Sequence, residues 1–288
     1  MSSDREDSTK REKRYDEEWR QMFTDPSSEL NKKLQEFRDE YTKMQATTRC
    51  CMCLAPFDGA GHPLKGREPN PRNPTICKSC DGWMEANYPG RVLHTCPVIS
   101  VDMRGSSVLA RRHTKDRIYL DEYQKPFMAA ATQALFDNDG FIENFRGDEV
   151  RGLYPEGFSS KNNGKKAWNT AILLLRKPPR KPDGNVIDFG VAVHIGDNWI
   201  ASEGTPPQPF LGCSITGDGI NTVSHICGSA KGGEALISEA VFEAVGMRTE
   251  GLERRSVKLK GDDEKPEMIS VYTVTAESKV TPFEFSKS

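Results

Sequence analysis

The sequence predicts a mixed α+β protein, and three observations carry that reading. From about residue 96 onward, short apolar runs alternate with helical patterns. Within that region FIENFRGDEVRGLYP (141–155) reads as two short strands reversing at Gly147, a residue that tolerates positive φ. Ahead of it, five of the eight cysteines crowd between Cys50 and Cys80. The chain has 288 residues, enough for one large or two modest domains. Lys and Arg number 40 and Asp and Glu 42, a net charge of -2 that gives no global basic excess for nucleic acid. No apolar run is long enough to span a bilayer, and the opening MSSDREDSTKREKRYDEEW is too polar for a signal peptide. A soluble, cytoplasmic protein is expected.

Four segments follow in order: a helical segment (1–47), a cysteine module (48–95), a larger α+β domain (96–280) and a short tail (281–288). Residues 1–24 are charge-rich and helical near their end. TDPSSEL then supplies helix-start chemistry, with Asp25 before Pro26 and serines after it. Beyond it Leu30, Leu34, Phe37, Tyr41 and Met44 recur at spacings of four and three, one apolar stripe on a polar helix of about four turns. The stripe suits packing on the chain's own domain or a helix-to-helix dimer contact.

In the cysteine module, Cys50-x-x-Cys53 and Cys77-x-x-Cys80 flank a loop dense in Gly and Pro. Such a loop buries too little apolar surface to hold itself together. A tetrahedral Zn²⁺ on four sulfurs supplies the missing cross-link, and a closed coordination sphere makes the site structural. Cys51 is a possible substitute for Cys50, and His62 is a weaker candidate.

The domain from residue 96 opens with the strand PVISVD, ending in Asp102, then the turn MRGSS and a helix from about Ser107 to Asp137. The hairpin follows. After the basic loop RKPPRKPDGN, read as solvated, come strand-like VIDFGVAVHIG and NWIASEG, a helix in GDGINTVSHICGSAKGG, the strand EALIS, the helix EAVFEAVG and a last strand MISVYTVT. A strand–helix–strand crossover is right-handed, so its two strands run parallel, and the hairpin's second strand returns antiparallel beside the first. Asp102 and Asp148 therefore meet at one sheet edge. Paired carboxylates there repel unless one protonates or a cation sits between them. Hard oxygen ligands suit Mg²⁺ or Mn²⁺, and the helix start after MRGSS favours an anion. Metal and phosphate side by side describe a nucleoside-triphosphate site.

SVDMRGSSVL, FRGDEV and ITGDGINTVSHI, in this order, resemble the signature of class III nucleotidyl cyclases over about residues 96–275. The resemblance implies a ferredoxin-like catalytic domain with an antiparallel sheet and flanking helices. It implies a homodimer with active sites shared across the interface, and two Mg²⁺ or Mn²⁺ ions at Asp102, Met103 and Asp148. An NTP then loses pyrophosphate as its 3′-oxygen attacks the α-phosphorus. The same resemblance puts Met103, Gly105, Ser106 and Ser107 on substrate, and has Lys260 contact the terminal phosphates. Asn221, from the partner chain, orients the ribose.

Two departures stand out. The transition-state arginine of the family falls at His225, four residues after Asn221 and on the same helix face. Histidine lacks arginine's permanent charge and paired donors. His225 then acts as a weaker cation, Arg104 or Arg146 takes the role, or catalysis is lost and the chain is a nucleotide-binding pseudocyclase. Where family members that use purines carry their base-reading set, this chain has Asn144 and Ser214. Both side chains can donate and accept, and suit the edge of uracil or cytosine. That pocket resembles the pyrimidine cyclases of the bacterial Pycsar anti-phage systems, whose cyclic UMP or cyclic CMP signals to a separate effector. UTP is the expected substrate, with CTP and ATP as alternatives.

Overall fold

The computed structural model describes residues 16–59, 64–71, 73–87, 90–203, 212–259 and 267–285, without the side chains of 144–146, 202–203 and 212–213. In chain order the helices are α1 (16–23), α2 (Glu29–Thr42), α3 (Lys78–Ala86), α4 (Ser106–Arg112), α5 (Lys125–Phe136), α6 (Glu156–Ser159), α7 (Asn163–Arg176), α8 (Asp218–Gly228) and α9 (Glu239–Val245). The strands are β1 (Pro69–Asn70), β2 (Asn73–Cys77), β3 (Gly90–Met103), β4 (Phe141–Arg146), β5 (Glu149–Leu153), β6 (Phe189–Glu203), β7 (Gly212–Thr216), β8 (Glu234–Ser238), β9 (Glu253–Lys258) and β10 (Met268–Val274). The described residues fall into two compact units. The first is formed by the described residues within Met1–His94, Pro155–Ser160 and Asp197–Thr216; the second by those within Thr95–Tyr154, Lys161–Gly196 and Gly217–Ser288.

In the first unit, α2 starts where the sequence places a cap: the Ser28 hydroxyl accepts the Asn31 amide at 3.1 Å. Such a cap is worth about 1 kcal/mol. Of the apolar stripe, Leu34 and Tyr41 are buried, joined by Asn31 and Arg38. The stripe therefore packs within its own unit. Asn31 tolerates burial because its Nδ2 donates to the carbonyls of Met22 and Gly157, each at 2.7 Å. Trp19 is fully buried, with Phe23 and Trp83 ring centroids 5.2 and 5.1 Å away. β7, unexpected from sequence, pairs antiparallel with the later part of β6, Ser214 opposite Ala201.

The second unit holds a sheet in the order β4-β5-β3-β6-β8-β10-β9. β5 lies antiparallel between β3 and β4, as the crossover argument requires, with Asp102 paired to Glu149 and Arg146 paired to Glu149 across the hairpin. β6 and β8 pair parallel, whereas β4–β5, β5–β3, β8–β10 and β10–β9 pair antiparallel. α7 is its most buried helix, with Ala167, Trp168 and Ala171 wholly inaccessible. Trp168 meets Phe242 of α9 edge-on at 5.3 Å. The tail segment 281–285 docks on α7, where the Asn169 side chain both donates to the Phe283 carbonyl (2.8 Å) and accepts the Phe283 amide (2.7 Å).

Three expectations change. The single helix from Ser107 to Asp137 is broken: α4 ends at Arg112, a π-turn spans Tyr119–Gln124, and α5 follows. The reason is local. The Thr114 hydroxyl bonds back to the Ala110 carbonyl at 3.0 Å, and Asp116 Oδ1 accepts the Ile118 amide at 2.9 Å. Both offer the backbone an alternative to helical bonding. The two strand-like runs after the basic loop are one 15-residue strand, β6. Finally, α7 and β9 form where the sequence pattern predicts no element.

Candidate active site

β3 delivers Asp102 to its C-terminal end, and the two-residue turn between β4 and β5 delivers Asp148 beside it. Gly147 takes φ 68° there, the conformation that lets so short a turn close. The Met103 amide donates to the Asp148 carbonyl at 3.2 Å, fixing the turn against the strand end. From the other side, Gln124 at the end of the π-turn donates through Nε2 to the Gly147 carbonyl at 2.6 Å. The expected meeting of Asp102 and Asp148 is thus present within one chain.

A third carboxylate, Glu149, joins them as the cross-strand partner of Asp102. Its Oε1 accepts from Ser100 (2.7 Å) and from Ser224 of α8 (3.2 Å). Burial pushes the Asp102 carboxyl up to about 6; the nearby Arg104 opposes this, and the charges of Asp148 and Glu149 add to it. The Tyr119 phenol is raised too, by burial and then by Asp148 and Asp102, which places the π-turn within the field of the pair. Asp102 and Asp148 at one sheet edge, the first resisting ionisation and Glu149 paired beside it, offer hard oxygens short of positive charge, although the three carboxyl groups do not close into a preformed ligand cluster among the described residues. A divalent cation suits that edge.

Part of the compensation comes from Arg104. Its Nη1 holds Asp102 Oδ2 at 2.7 Å, while Nη2 donates to the Cys227 carbonyl in the last turn of α8. The guanidinium passes over Gly190, where any Cβ would overlap it. Arg104 thus ties the Asp102 carboxylate to the helix carrying Asn221 and His225. That engagement occupies both Nη groups of Arg104. On α8, Asn221 is exposed and His225 half-buried. Gly105 caps α4 with φ 69°, and the amides of Ser106 and Ser107 have no acceptor within the helix they open.

The remaining candidates divide. Ser214 is half-buried on β7, in the first unit. The Asn144 backbone pairs with Arg151, while its side chain and that of Arg146 lie outside the described atoms. Lys260 and His62 lie outside the described residues. Sequence reasoning missed Glu149, although the dipeptide Asp148-Glu149 was visible, and missed that Arg104 pairs with Asp102 two residues away.

In the first unit the sulfurs of Cys50, Cys53, Cys77 and Cys80 lie within 4.8 Å of one another, all buried and none in a disulfide. Hydrogen bonds from the other three thiols hold Cys77 far below the usual thiol range. Cys51 is outside the cluster, its thiol pushed up to about 12 by burial. Cys50, rather than Cys51, is therefore the first member.

No family model matches the chain. It is 26% identical over 197 residues to an adenylate cyclase of Anabaena cylindrica, covering 62% of this chain and 36% of that protein. The chain thus spans about a third of the length of that relative. The guanylyl cyclase Cya2 superposes with a TM-score of 0.55 at 15% identity, over 68% of this chain and 100% of Cya2. The adenylyl cyclase CyaB from P. aeruginosa gives 0.52 at 16% identity, over 66% and 100%. The guanylate cyclase domain of RhGC from Catenaria anguillulae, solved with GTP, gives 0.52 at 15%, over 64% and 98%. The fold is that of the class III nucleotidyl cyclase domain, and by sequence the chain is similar to an adenylate cyclase. Among the described residues no helix is long and apolar enough to cross a membrane.

Proposed function

We propose that this chain is a metal-dependent nucleotidyl cyclase that converts UTP to 3′,5′-cyclic UMP and pyrophosphate. The observation that carries the proposal is the half-buried Asp102 at the strand end that the Asp148 turn bonds to, with Glu149 paired across from it and α4 starting beyond it. Asp102 and Asp148, with the backbone at Met103, would hold Mg²⁺ or Mn²⁺. Bound there, the ions neutralise the triphosphate and lower the pKa of the attacking 3′-hydroxyl. The amides around Gly105, Ser106 and Ser107 bind phosphate oxygens, and Lys260 adds charge to the terminal phosphates. Asn221, exposed on α8, is available to a second copy of the chain and orients the ribose across a homodimer interface. His225, one turn further on, supplies a weaker cation than arginine.

The base preference rests on the chemistry of Asn144 and Ser214 alone: each can donate or accept, as the edge of uracil requires. We read the product as a second messenger for a separate effector in bacterial anti-phage defence, made in the cytoplasm. The boundaries 1–47, 48–95, 96–280 and 281–288 are proposed as folding segments, and Cys50, Cys53, Cys77 and Cys80 as a structural Zn²⁺ site. An ATP-using reading is favoured by one specific observation, the similarity to an adenylate cyclase. The test incubates purified protein with each NTP and Mn²⁺ and identifies products by mass. Cyclic UMP supports the proposal, cyclic AMP or cyclic CMP replaces the substrate, and no cyclic product from any NTP makes the chain a pseudocyclase.

A further inference from the structure

The four-sulfur cluster carries a feature that four neutral thiols do not explain: a guanidinium is pressed against it. Arg67 Nη1 lies 3.7 Å from Cys53 Sγ, 3.9 Å from Cys77 Sγ and 3.8 Å from Cys80 Sγ, capping the face those three sulfurs define. The fourth sulfur, Cys50, instead accepts the Cys77 amide at 3.3 Å. Cys53 and Cys77 Sγ stand 3.8 Å apart. That matches the edge of a ZnS₄ tetrahedron, about 3.8 Å for Zn–S bonds of about 2.3 Å.

Charge explains the arrangement. Four thiolates around Zn²⁺ leave a net charge of about -2 in a buried place, and one guanidinium halves it. The other side of that guanidinium is aromatic: it lies 4.5 Å from the Phe37 ring centroid and 5.9 Å from that of Tyr41. The two rings stack on each other at 5.7 Å with 7° between their planes. Both belong to α2. Two further arginines tie the same helix to the cysteine knuckle. Arg38 of α2 donates to the Met52 carbonyl at 2.8 Å. Arg49, next to Cys50, donates to the Tyr41 carbonyl at 2.7 Å and also to the Met44 carbonyl at the end of the helix.

From this we infer that Arg67 is the outer-sphere cation of a Zn²⁺ tetrathiolate and that, through its stacking on Phe37 and Tyr41, the metal clamps α2. The inference rests on the zinc reading of the cluster and adds a consequence to it. The charge on the sulfurs holds the guanidinium, the guanidinium holds the two rings, and the rings fix the C-terminal half of α2. Loss of the metal removes the charge that anchors this chain of contacts, so α2 loosens with it.

The full chain is the test object. Elemental analysis of the wild-type protein should give about one zinc per chain. In Arg67→Met the metal should remain but pass to a chromogenic chelator about 10- to 100-fold faster, the usual effect of losing an outer-sphere partner. Arg67→Lys should recover part of the retention, since it restores charge without the planar stack. Hydrogen exchange over residues 34–42 should quicken in Arg67→Met. It should quicken equally in the wild-type protein after chelation, a measurement that needs no variant, while α7 stays protected. A zinc-loaded wild-type protein whose α2 exchange ignores chelation, or an Arg67→Met variant releasing zinc at the wild-type rate, overturns the clamp and leaves the zinc site standing. A wild-type protein with no zinc overturns both.

Discussion

Acidification should strip divalent metal from the active site at a pH well above the ordinary carboxyl range. Asp102 is the reason, its carboxyl pushed up to about 6 by burial and by Asp148 and Glu149 against the opposing pull of Arg104. A proton and a metal ion compete for the same oxygens, so the apparent Kd for Mn²⁺ should weaken about tenfold between pH 7 and pH 5. A carboxyl at its ordinary value of 3.8 would change that Kd by less than about a tenth over the same interval. Stability of the metal-free protein runs the other way. The folded state keeps an Asp102 proton that the unfolded chain has lost. The resulting stabilisation is fully present below about pH 4 and lost as pH rises through about 6, a change below about 3 kcal/mol because solvent screens the part-exposed carboxyl. Mn²⁺ titrations at pH 5, 6 and 7, read by calorimetry or by the free-ion spin signal, measure the first effect. Urea denaturation of the metal-free protein at the same pH values measures the second. Mn²⁺ affinity that stays flat down to pH 5 would refute the reasoning, because Asp102 would then be either an ordinary carboxyl or no ligand.

Three further outcomes are expected. Asp148→Ala should abolish turnover while leaving the thermal midpoint near the wild-type value, since Asp148 sits in a half-exposed turn; a folded variant at full rate counts against the metal site. His225→Arg should preserve or raise kcat, because a permanent cation with paired donors returns to α8, and loss of turnover would assign histidine a role of its own. Gly190→Ala should drive the Arg104 guanidinium from its place, since a Cβ there overlaps it. Losing the charge-assisted bond to Asp102 and the bond to Cys227 should destabilise the fold by about 2–4 kcal/mol, read by urea denaturation. A Gly190→Ala protein as stable as the wild type would show that the Arg104 bridge carries little.

Local and periodic signals were readable before any coordinates. The Ser28 cap, the stripe of α2, the Gly147 reversal, the two CxxC pairs and the helix through Asn221 are each written in residues a few positions apart. Even the encounter of Asp102 with Asp148 followed from sequence, because the handedness of the crossover leaves the hairpin one place to go. α7 escaped notice although Ala167, Trp168, Ala171 and Leu174 are spaced as a buried helix face, because its polar start, NNGKK, hides the pattern. The break between α4 and α5 escaped because the hydroxyl and carboxylate bonds of Thr114 and Asp116 outweigh a helical periodicity that continues past them.

Sequence alone therefore determined the strand and hairpin that carry Asp102 and Asp148, the edge where they meet and the four-sulfur cluster, through spacing and chain handedness. Tertiary structure alone decided which charges stand against them: Arg104 on Asp102 across Gly190, Glu149 as a third carboxylate, and Arg67 between the sulfurs and two aromatic rings. Those partners depend on side chains reaching across elements that are distant in order. Only packing fixes where a long flexible cation comes to rest.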